Sequence, residues 1–239
     1  MNEITLYQAP TRPWKSPNMS PFCAKLELYL RITEVPHKLA AAKFTKTPKG
    51  KIPYVDFGDG VAMGDSGFII EELERRRVAE GKPALDAGMS PRDAATARLL
   101  VRALEEGFYF VGVYGRWIPD APYAIVKQEF KKFVPGIIVP VIRRGMRKKL
   151  HEQGTGRHTE AEVMKIGAAD LAACAEILGD KPFLFGEAPR TADCTLFAFL
   201  AGSLAFPLDT ALKHAIQSHP NLVTYHDRIR ERWWKDLAS

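Results

Sequence analysis

A serine and a cysteine lie three residues apart in the segment NMSPFC, where a helix is predicted to begin. Ser20 precedes Pro21, and Cys23 falls in the first helical turn. The free N–H groups and the dipole of a helix N-terminus favour an anion, and a thiolate is the reactive form of a thiol. The segment therefore has three interpretations: a redox motif that has lost a cysteine, a site for thiol chemistry, or an N-cap serine followed by proline.

The role of Cys23 can be narrowed from the sequence alone. A two-cysteine redox mechanism is excluded, because Ser20 occupies the position of the first cysteine. A one-cysteine thiol exchange that makes Cys23 catalytic stays open, since a helix N-terminus lowers the pKa of a cysteine. The alternative is that Cys23 is a small apolar residue of the helix.

The elements around this segment alternate between strand and helix patterns over the N-terminal third of the chain. A βαβ unit is predicted first, then a β-hairpin that turns at the segment GDG, and then a helix capped by Asp65 or Ser66. The strands are predicted at residues 4–7, 36–42, 51–57 and 61–63, and the helices at residues 21–32 and 67–80.

The remainder of the chain is predicted to be almost entirely helical. Ser90 and Pro91 start a helix, and a capping box at residues 159–162 starts another. Residues 191–205 are apolar on nearly all sides, which predicts a buried helix, and a final helix is predicted at residues 221–234. The chain is thus expected to combine an α/β domain at residues 1–82 with an all-α domain at residues 90–239.

The composition indicates a soluble globular protein, with 26% charged and 46% hydrophobic residues among 239. A net charge of +6 favours anionic small molecules or an acidic surface, and without a nucleic-acid motif no nucleic-acid partner is expected. Three scattered cysteines, Cys23, Cys174 and Cys194, indicate a reducing compartment. The N-terminus lacks signal-peptide features and the apolar runs are too short to span a membrane, so a cytoplasmic location is expected.

Five segments, in order along the chain, carry a resemblance to a known family: SPFCAKLELYLR, TPKGKIPYVD, GDSGFIIEEL, HEQGTGRHT, and KPFLFGEAP with ADCTLFAFLAG. Through them the sequence resembles the glutathione S-transferase superfamily, in the branch of metaxins and failed-axon-connections-like proteins. The resemblance covers nearly the whole chain. It implies a thioredoxin-like N-terminal domain that binds glutathione, a C-terminal helical-bundle domain and, as in most of the superfamily, a homodimer. It implies no metal.

The resemblance assigns Ser20 and the Ile52–Pro53 pair to glutathione binding. The Ser20 hydroxyl would stabilise the glutathione thiolate by a hydrogen bond that lowers the thiol pKa, and Ser20 would not itself attack. Pro53 would follow a cis peptide bond, so that the backbone of Ile52 pairs with the cysteinyl part of glutathione. The structural alternatives are a helix cap for Ser20 and a strand start for Pro53.

The resemblance also indicates which residues bind the two ends of the glutathione molecule. Asp65 and Ser66 would hold the γ-glutamyl end, where an acidic side chain meets the α-ammonium and a helix N-terminus meets the α-carboxylate. Lys51, and less directly Lys49, could reach the glycyl carboxylate. The alternatives are a plain N-cap for Ser66 and solvated surface lysines.

The second substrate is expected to bind on a helix predicted at residues 95–117. Its end, FYFVGVYGRWIPD, is rich in aromatic residues, and helices of the second domain face the glutathione site in this superfamily. Tyr109, Tyr114 and Trp117 are the predicted residues of an acceptor pocket, with Phe110 and Arg116 among them in the sequence. Ordinary core packing is the alternative.

Two features depart from the family pattern or lie outside it. Many members carry Ser or Thr three residues before Asp193 as a cap, whereas this chain has Arg190 there, so the cap has shifted or been replaced. Residues 127–149 hold eight basic residues around an apolar centre. A helix pair with solvated lysines is favoured for this segment over contact with a membrane surface or partner.

Two functions follow from the resemblance. The first is a glutathione transferase that conjugates the thiolate to a small electrophile, with Ser20 stabilising the sulfur. The second is a non-catalytic glutathione-binding or metaxin-like scaffold protein, because fold does not fix function. The presence of Ser20, Pro53, Asp65 and Ser66 favours a ligand-binding site.

Overall fold

The computed structural model describes residues 2–43, 45 and 47–237. Its N-terminal part is a four-stranded sheet in the order β2-β1-β3-β4, in which β2 runs parallel to β1 and the other pairs are antiparallel. Helix α1 connects the parallel pair, and α2 follows the hairpin. The predicted βαβ-ββα order is confirmed, with elements β1 (Ile4–Gln8), α1 (Pro21–Ile32), β2 (His37–Ala41), β3 (Tyr54–Asp56), β4 (Ala62–Gly64) and α2 (Ser66–Ala79).

The strands are short, and β3 is shorter than the sequence predicts. Its ladder begins at Tyr54 and ends at Asp56, whereas the predicted strand covers residues 51–57. Pro53 has no N–H group to donate to a ladder, so regular pairing starts after it. In β1, Ile4 and Leu6 alternate inward and are almost fully buried, which fixes the face that packs on the helices.

The C-terminal part is helical, as predicted. The helix expected at residues 95–117 is continuous, but one turn at Leu104–Phe108 widens into a π-helix, which shifts the faces on its two sides. The segment 127–149 spans parts of two helices, α5 (Asp120–Phe130) and α6 (Val139–Gln153). The elements are α3 (Pro91–Ala103), α4 (Tyr109–Trp117), α5 (Asp120–Phe130), α6 (Val139–Gln153), α7 (Glu160–Leu178), α8 (Thr191–Leu204), α9 (Ala211–Gln217) and α10 (Pro220–Trp233).

Helices α1 and α8 pack against each other and join the two parts. Both are buried on most of their surface, including Leu26 and Leu30 of α1 and Leu196, Phe197 and Leu200 of α8. The prediction of a buried helix at residues 191–205 is therefore confirmed. A polar contact crosses the same interface, since Lys25 of α1 donates to Glu105 of the π-helical turn at 2.6 Å.

At the start of α8, an aspartate takes the place of the expected Ser or Thr cap. This aspartate comes from the linker between α2 and α3, residues 80–90. Asp86 accepts hydrogen bonds from Thr191 N at 2.8 Å and Thr191 Oγ1 at 2.5 Å. Asp193 accepts from Arg190 N at 2.7 Å and Leu184 N at 2.9 Å, and Tyr225 donates to it at 3.1 Å. Burial raises the pKa of Asp193 to about 6. The cap has been replaced rather than lost.

The linker itself is held from both sides. The Arg190 guanidinium donates to the carbonyl oxygens of Leu85 and Ala87 at 2.8 and 2.7 Å. On the other side, Leu85 N donates to Glu74 of α2 at 2.7 Å. The connection between the sheet-containing part and the helical part is therefore a bonded segment rather than a free tether.

A second set of contacts ties the C-terminal residues to α1. Glu27 is fully buried and accepts from Gln8 at 2.9 Å, from Arg12 at 2.6 Å and from Arg31 at 2.9 Å. The Arg31 guanidinium also lies 4.0 Å from the ring centroid of Trp234 and pairs with Asp236. These partners neutralise a charge that would otherwise be costly to bury.

Candidate site at the sheet edge and the adjoining cleft

The sheet register brings three separate segments to one edge. Tyr7, Tyr54 and Gly64 are aligned across β1, β3 and β4, and the Tyr7 and Tyr54 rings stack at 4.6 Å. The loop to Ser20 leaves this edge after β1, Pro53 lies just before Tyr54, and Asp65 follows Gly64. Residues far apart in the sequence therefore meet at the edge where α1 and α2 begin.

The loop after β1 fixes Ser20 at the start of α1. Asn18 donates to Ala9 O at 3.3 Å and accepts from Ser20 N at 3.0 Å, so the loop is tied back to the end of the strand. Ser20 is the N-cap of α1, and its hydroxyl oxygen accepts from Cys23 N at 3.4 Å. That bond is long, and the side chain of Ser20 is only partly buried. The hydroxyl can therefore serve a ligand at this helix N-terminus.

Cys23 lies beneath Ser20 and is fully buried. Burial raises the pKa of its thiol to about 12, although hydrogen bonds with Ala9 and Ser20 act in the opposite direction. The expectation that the helix N-terminus lowers this pKa is not met, because desolvation of the thiolate outweighs the favourable N–H groups. A thiol without solvent access and held in the protonated form is unsuited to exchange chemistry.

The Ile52–Pro53 peptide bond is cis, as the resemblance implies. Pro53 is buried and Ile52 is half-buried, while Lys51 and Lys49 are exposed. The ammonium group of Lys49 lies 4.4 Å from the ring centroid of Phe68 on α2. Both lysines are thus on the exposed side of this edge, and Lys49 contacts the first turn of α2.

Asp65, rather than Ser66, is the N-cap of α2. Its carboxylate accepts from Gly67 N at 3.0 Å and Phe68 N at 3.4 Å, and its backbone has a φ of 87°. Ser66 is the first helical residue and is only 5% exposed, whereas Asp65 is exposed. Gly64, just before them, lies close to Pro48, since a Cβ at position 64 would be only 3.0 Å from that proline.

A small cavity adjoins Ser20 on the side of the helical part. It has a volume of about 30 Å³, and Met19 and Pro21, the neighbours of Ser20 in sequence, form one wall. Tyr109 and Arg116 of α4 line a second wall, and Gly202 of α8 lies on a third. We refer to this space between α1, α4 and α8 as the cleft.

Only one of the three predicted acceptor-pocket residues lines the cleft. Tyr109 shares a helix face with Val113 and Arg116, at spacings of four and seven residues. Tyr114 is buried on another face, and burial together with Glu160 raises its pKa. Trp117 packs in a separate apolar cluster, with its ring centroid 5.0 Å from that of Phe130. Tyr114 and Trp117 therefore lie away from the cleft, and their role in an acceptor pocket stays a prediction.

Arg116 belongs to the aromatic segment that the sequence predicts at the acceptor pocket, and it lines the cleft. Its spacing of seven residues from Tyr109 is the signal that places both on one face of α4. Within the described part of the chain its guanidinium makes no hydrogen bond or ion pair, and burial lowers its pKa. Among the described residues there is no cluster of three metal-ligating side chains, and no helix is long and apolar enough to cross a membrane.

Comparison with known proteins agrees with this geometry. Residues 21–122 match a family model described as the glutathione S-transferase N-terminal domain, and residues 167–229 match one described as the C-terminal domain. The isoprene-epoxide–glutathione S-transferase of Rhodococcus sp. (strain AD45) is 30% identical over 237 residues, covering 92% of this chain and 95% of that protein. The protein therefore belongs to the glutathione S-transferase superfamily.

Other relatives are not named as transferases. Failed axon connections of Drosophila melanogaster is 27% identical, covering 98% of this chain but only 58% of that protein. The mitochondrial outer membrane import complex protein metaxin of Arabidopsis thaliana is 26% identical, covering 93% of this chain and 70% of that protein. The sequence relationship thus includes one named transferase and proteins named for other roles.

Solved structures show the same fold. A beta-etherase of Sphingobium sp. strain SYK-6 matches with a TM-score of 0.68 at 19% identity, covering 98% of both chains. A glutathione S-transferase of Methylobacterium radiotolerans, solved with glutathione sulfonate, matches with a TM-score of 0.61 at 18% identity, covering 99% of this chain and 93% of that one. The prediction of a thioredoxin-like domain followed by a helical domain is confirmed.

Proposed function

We propose that the protein is a glutathione transferase, which binds glutathione at the sheet edge and conjugates its sulfur to a small electrophile in the cleft. The observation that carries this proposal is the meeting of Ser20, Pro53 and Asp65 at one edge of the sheet, beside a cavity whose wall includes the neighbours of Ser20. The relative from Rhodococcus supports an epoxide as the first electrophile to test.

Each residue has a physical task in this proposal. The Ser20 hydroxyl donates to the sulfur and stabilises the thiolate at the N-terminus of α1. The N-terminus of α2, with the buried Ser66, receives the α-carboxylate, and the exposed Asp65 carboxylate receives the α-ammonium. Lys49 and Lys51 are on the exposed side, where the glycyl carboxylate can reach them.

The first test is a calorimetric titration of glutathione into the wild type and into two variants of Asp65. Asp65→Ala removes the charge, the cap and a residue type that tolerates positive φ, so it also destabilises α2. Asp65→Asn keeps a capping oxygen and tolerates that φ, so it removes only the charge. We expect both variants to bind glutathione about tenfold more weakly.

The two variants distinguish binding from folding. We expect the melting temperature to fall in Asp65→Ala and to stay near the wild-type value in Asp65→Asn. Wild-type affinity in Asp65→Asn would mean that Asp65 is a cap and not a ligand. If the wild type itself gives no heat with glutathione at any accessible concentration, the transferase proposal is wrong.

A second candidate function, an interaction protein, is favoured by one surface feature. At the start of α6, Ile137 and Val141 are 85% and 67% exposed, and basic residues such as Lys131 and Arg144 lie on both sides in sequence. Exposed apolar residues flanked by lysine and arginine suit an anionic membrane surface. The test is sedimentation of the protein with phosphatidylserine vesicles. Sedimentation that is lost in the double variant Ile137→Asp, Val141→Asp supports this function. If the wild type does not sediment with the vesicles, this function is wrong.

A further inference from the structure

Arg116 of α4 lines the cleft, and its guanidinium makes no hydrogen bond or ion pair with any residue that the structure describes. Arg31 and Arg143, which are also largely buried, pair with Asp236 at 2.8 Å and with Asp120 at 2.7 Å. Arg116 makes no comparable contact with any residue that the structure describes, and the titratable group beside it is the Tyr109 phenol, which burial keeps in its neutral form. Arg116 is half-buried, and a guanidinium that is partly removed from water and has no counter-charge is available to an anionic ligand.

The surroundings of Arg116 are apolar and tight. Phe108 and Phe199 line the same cleft, and the hydroxyl of Ser203 is already donated to Phe199 O at 3.1 Å. A Cβ at position 202 would lie 2.9 Å from Nη2 of Arg116, so only glycine leaves the guanidinium its present place. The guanidinium therefore lies against α8 in a cleft whose other walls include two phenylalanine rings.

The cleft is also close to the sulfur site and small. Met19 and Pro21 contribute to its wall, so the cleft adjoins the segment that carries Ser20. A volume of about 30 Å³ has room for about two water molecules, since one water needs roughly 10–15 Å³ on this measure. Such a space suits a small group attached to the sulfur and not a large one.

We infer that Arg116 binds an oxygen anion of the acceptor substrate, so the acceptor is a small electrophile that either carries a carboxylate or generates an alkoxide when it reacts. The inference rests on the proposed conjugation of glutathione. Arginine suits this task because its planar guanidinium presents several N–H donors to anionic oxygen. The acceptor supplies the counter-charge that the chain does not.

The chemistry balances for both sources of the anion. With an epoxide, the thiolate forms a C–S bond to a ring carbon and the C–O bond breaks, which leaves an alkoxide that Arg116 stabilises until it takes up the proton released from the thiol. With a 2-halocarboxylate, the C–S bond forms as the carbon–halogen bond breaks, halide leaves, and the carboxylate stays on Arg116. Neither route needs an oxidant or a reductant.

The binding test compares two glutathione derivatives that differ only in an anionic group. S-carboxymethylglutathione and S-ethylglutathione are titrated by calorimetry into the wild type, Arg116→Met and Arg116→Lys. We expect the preference for the carboxymethyl derivative over the ethyl derivative to fall about tenfold in Arg116→Met and to be partly restored in Arg116→Lys. Gly202→Ala, which displaces the guanidinium without removing it, should reduce the preference less than Arg116→Met does.

A kinetic test uses three small electrophiles and separates the two sources. The rates with propylene oxide and with chloroacetate are each divided by the rate with iodomethane, which has no oxygen. If the propylene oxide ratio falls in Arg116→Met, the anion that Arg116 binds is an alkoxide. If the chloroacetate ratio falls, that anion is a carboxylate. Unchanged ratios together with an unchanged binding preference overturn the role of Arg116 while leaving glutathione conjugation intact. If neither derivative binds the wild type, the proposed function itself fails, and the inference fails with it.

Discussion

The sheet edge and the cleft are adjacent but are built in different ways. At the sheet edge, the groups available to a ligand come from strand ends and helix starts: a cis peptide at Pro53, a cap at Asp65 and the N-cap Ser20. In the cleft, they come from side chains on the faces of α4 and α8, such as Tyr109 and Arg116. The edge is defined by backbone, and the cleft is defined by side chains.

This difference implies a division of labour. A site formed by strand ends keeps its shape when surface side chains change, so it suits a substrate that is always the same. A site formed by helix faces changes with each side chain, so it suits a substrate that differs between relatives. We therefore expect substitutions at the edge to affect all electrophiles alike, and substitutions in the cleft to affect them unequally.

The largest effect is expected for Ser20→Ala. Loss of the hydroxyl removes the hydrogen bond that stabilises the thiolate, so kcat/KM should fall about a hundredfold for every accepted electrophile. The pKa of bound glutathione, followed by thiolate absorbance, should rise in the same variant. Equal losses for propylene oxide and iodomethane would support a role of the edge that does not depend on the acceptor.

Ser90→Ala is the matched control for this variant. Ser90 caps α3 by accepting from Asp93 N at 3.1 Å, and it belongs neither to the sheet edge nor to the residues that line the cleft. It therefore reports the cost of losing a serine cap, about 1 kcal/mol of folding free energy, without touching the site. Turnover in Ser20→Ala that equals turnover in Ser90→Ala would contradict the assignment of Ser20.

An intermediate and selective effect is expected for Val113→Phe. Val113 lines the cleft between Tyr109 and Arg116, and a larger side chain there fills a volume of about 30 Å³. We expect kcat/KM for propylene oxide to fall about tenfold and the affinity for glutathione, measured by calorimetry, to stay within the experimental error. A parallel loss of glutathione affinity would show that the edge and the cleft are one site.

The smallest effect on conjugation is expected for Cys23→Ala. Because Cys23 is buried with its pKa raised to about 12, turnover should change less than about twofold, while the unfolding free energy falls by about 1 kcal/mol. A large loss of turnover in this variant would mean that Cys23 takes part in the reaction.

The pH dependence of stability gives a second readout for Cys23. The unfolded thiol ionises at its ordinary pKa of 9.0, whereas the folded thiol keeps its proton to higher pH. This contribution to stability is therefore complete below pH 9 and is lost as the pH rises toward about 12. In urea titrations between pH 8 and 10.5, the wild type should lose stability faster than Cys23→Ala. Identical slopes would show that Cys23 has no raised pKa.

Much of the sheet edge could be predicted from the sequence because its signals are local. A strand followed by Ser20 and Pro21 sets a helix start, and a proline at position 53 limits the pairing of β3. Strand order and register then follow from the βαβ-ββα pattern. Even here, the sequence could not show that Asp65 and not Ser66 is the cap, because both residue types cap helices.

The cleft could not be predicted in the same way. Whether Tyr109 or Trp117 faces α1 depends on the phase of α4, and the π-helical turn at Leu104–Phe108 sets that phase. Nothing in a periodic apolar pattern signals an extra residue in one turn. Similarly, the burial that raises the pKa of Cys23 comes from packing between distant helices, which the dipole argument for an isolated helix start does not include.

The linker bonds of Asp86, Leu85 and Ala87 bear on how this family can be recombined. A designer who joins the glutathione half of one relative to the acceptor half of another would place the junction between α2 and α3, where the secondary structure is interrupted. In this chain that junction supplies the cap of α8 through Asp86. A functional chimera therefore has to inherit residues 85–87 together with α8, and the natural unit of exchange begins before α3, not at it.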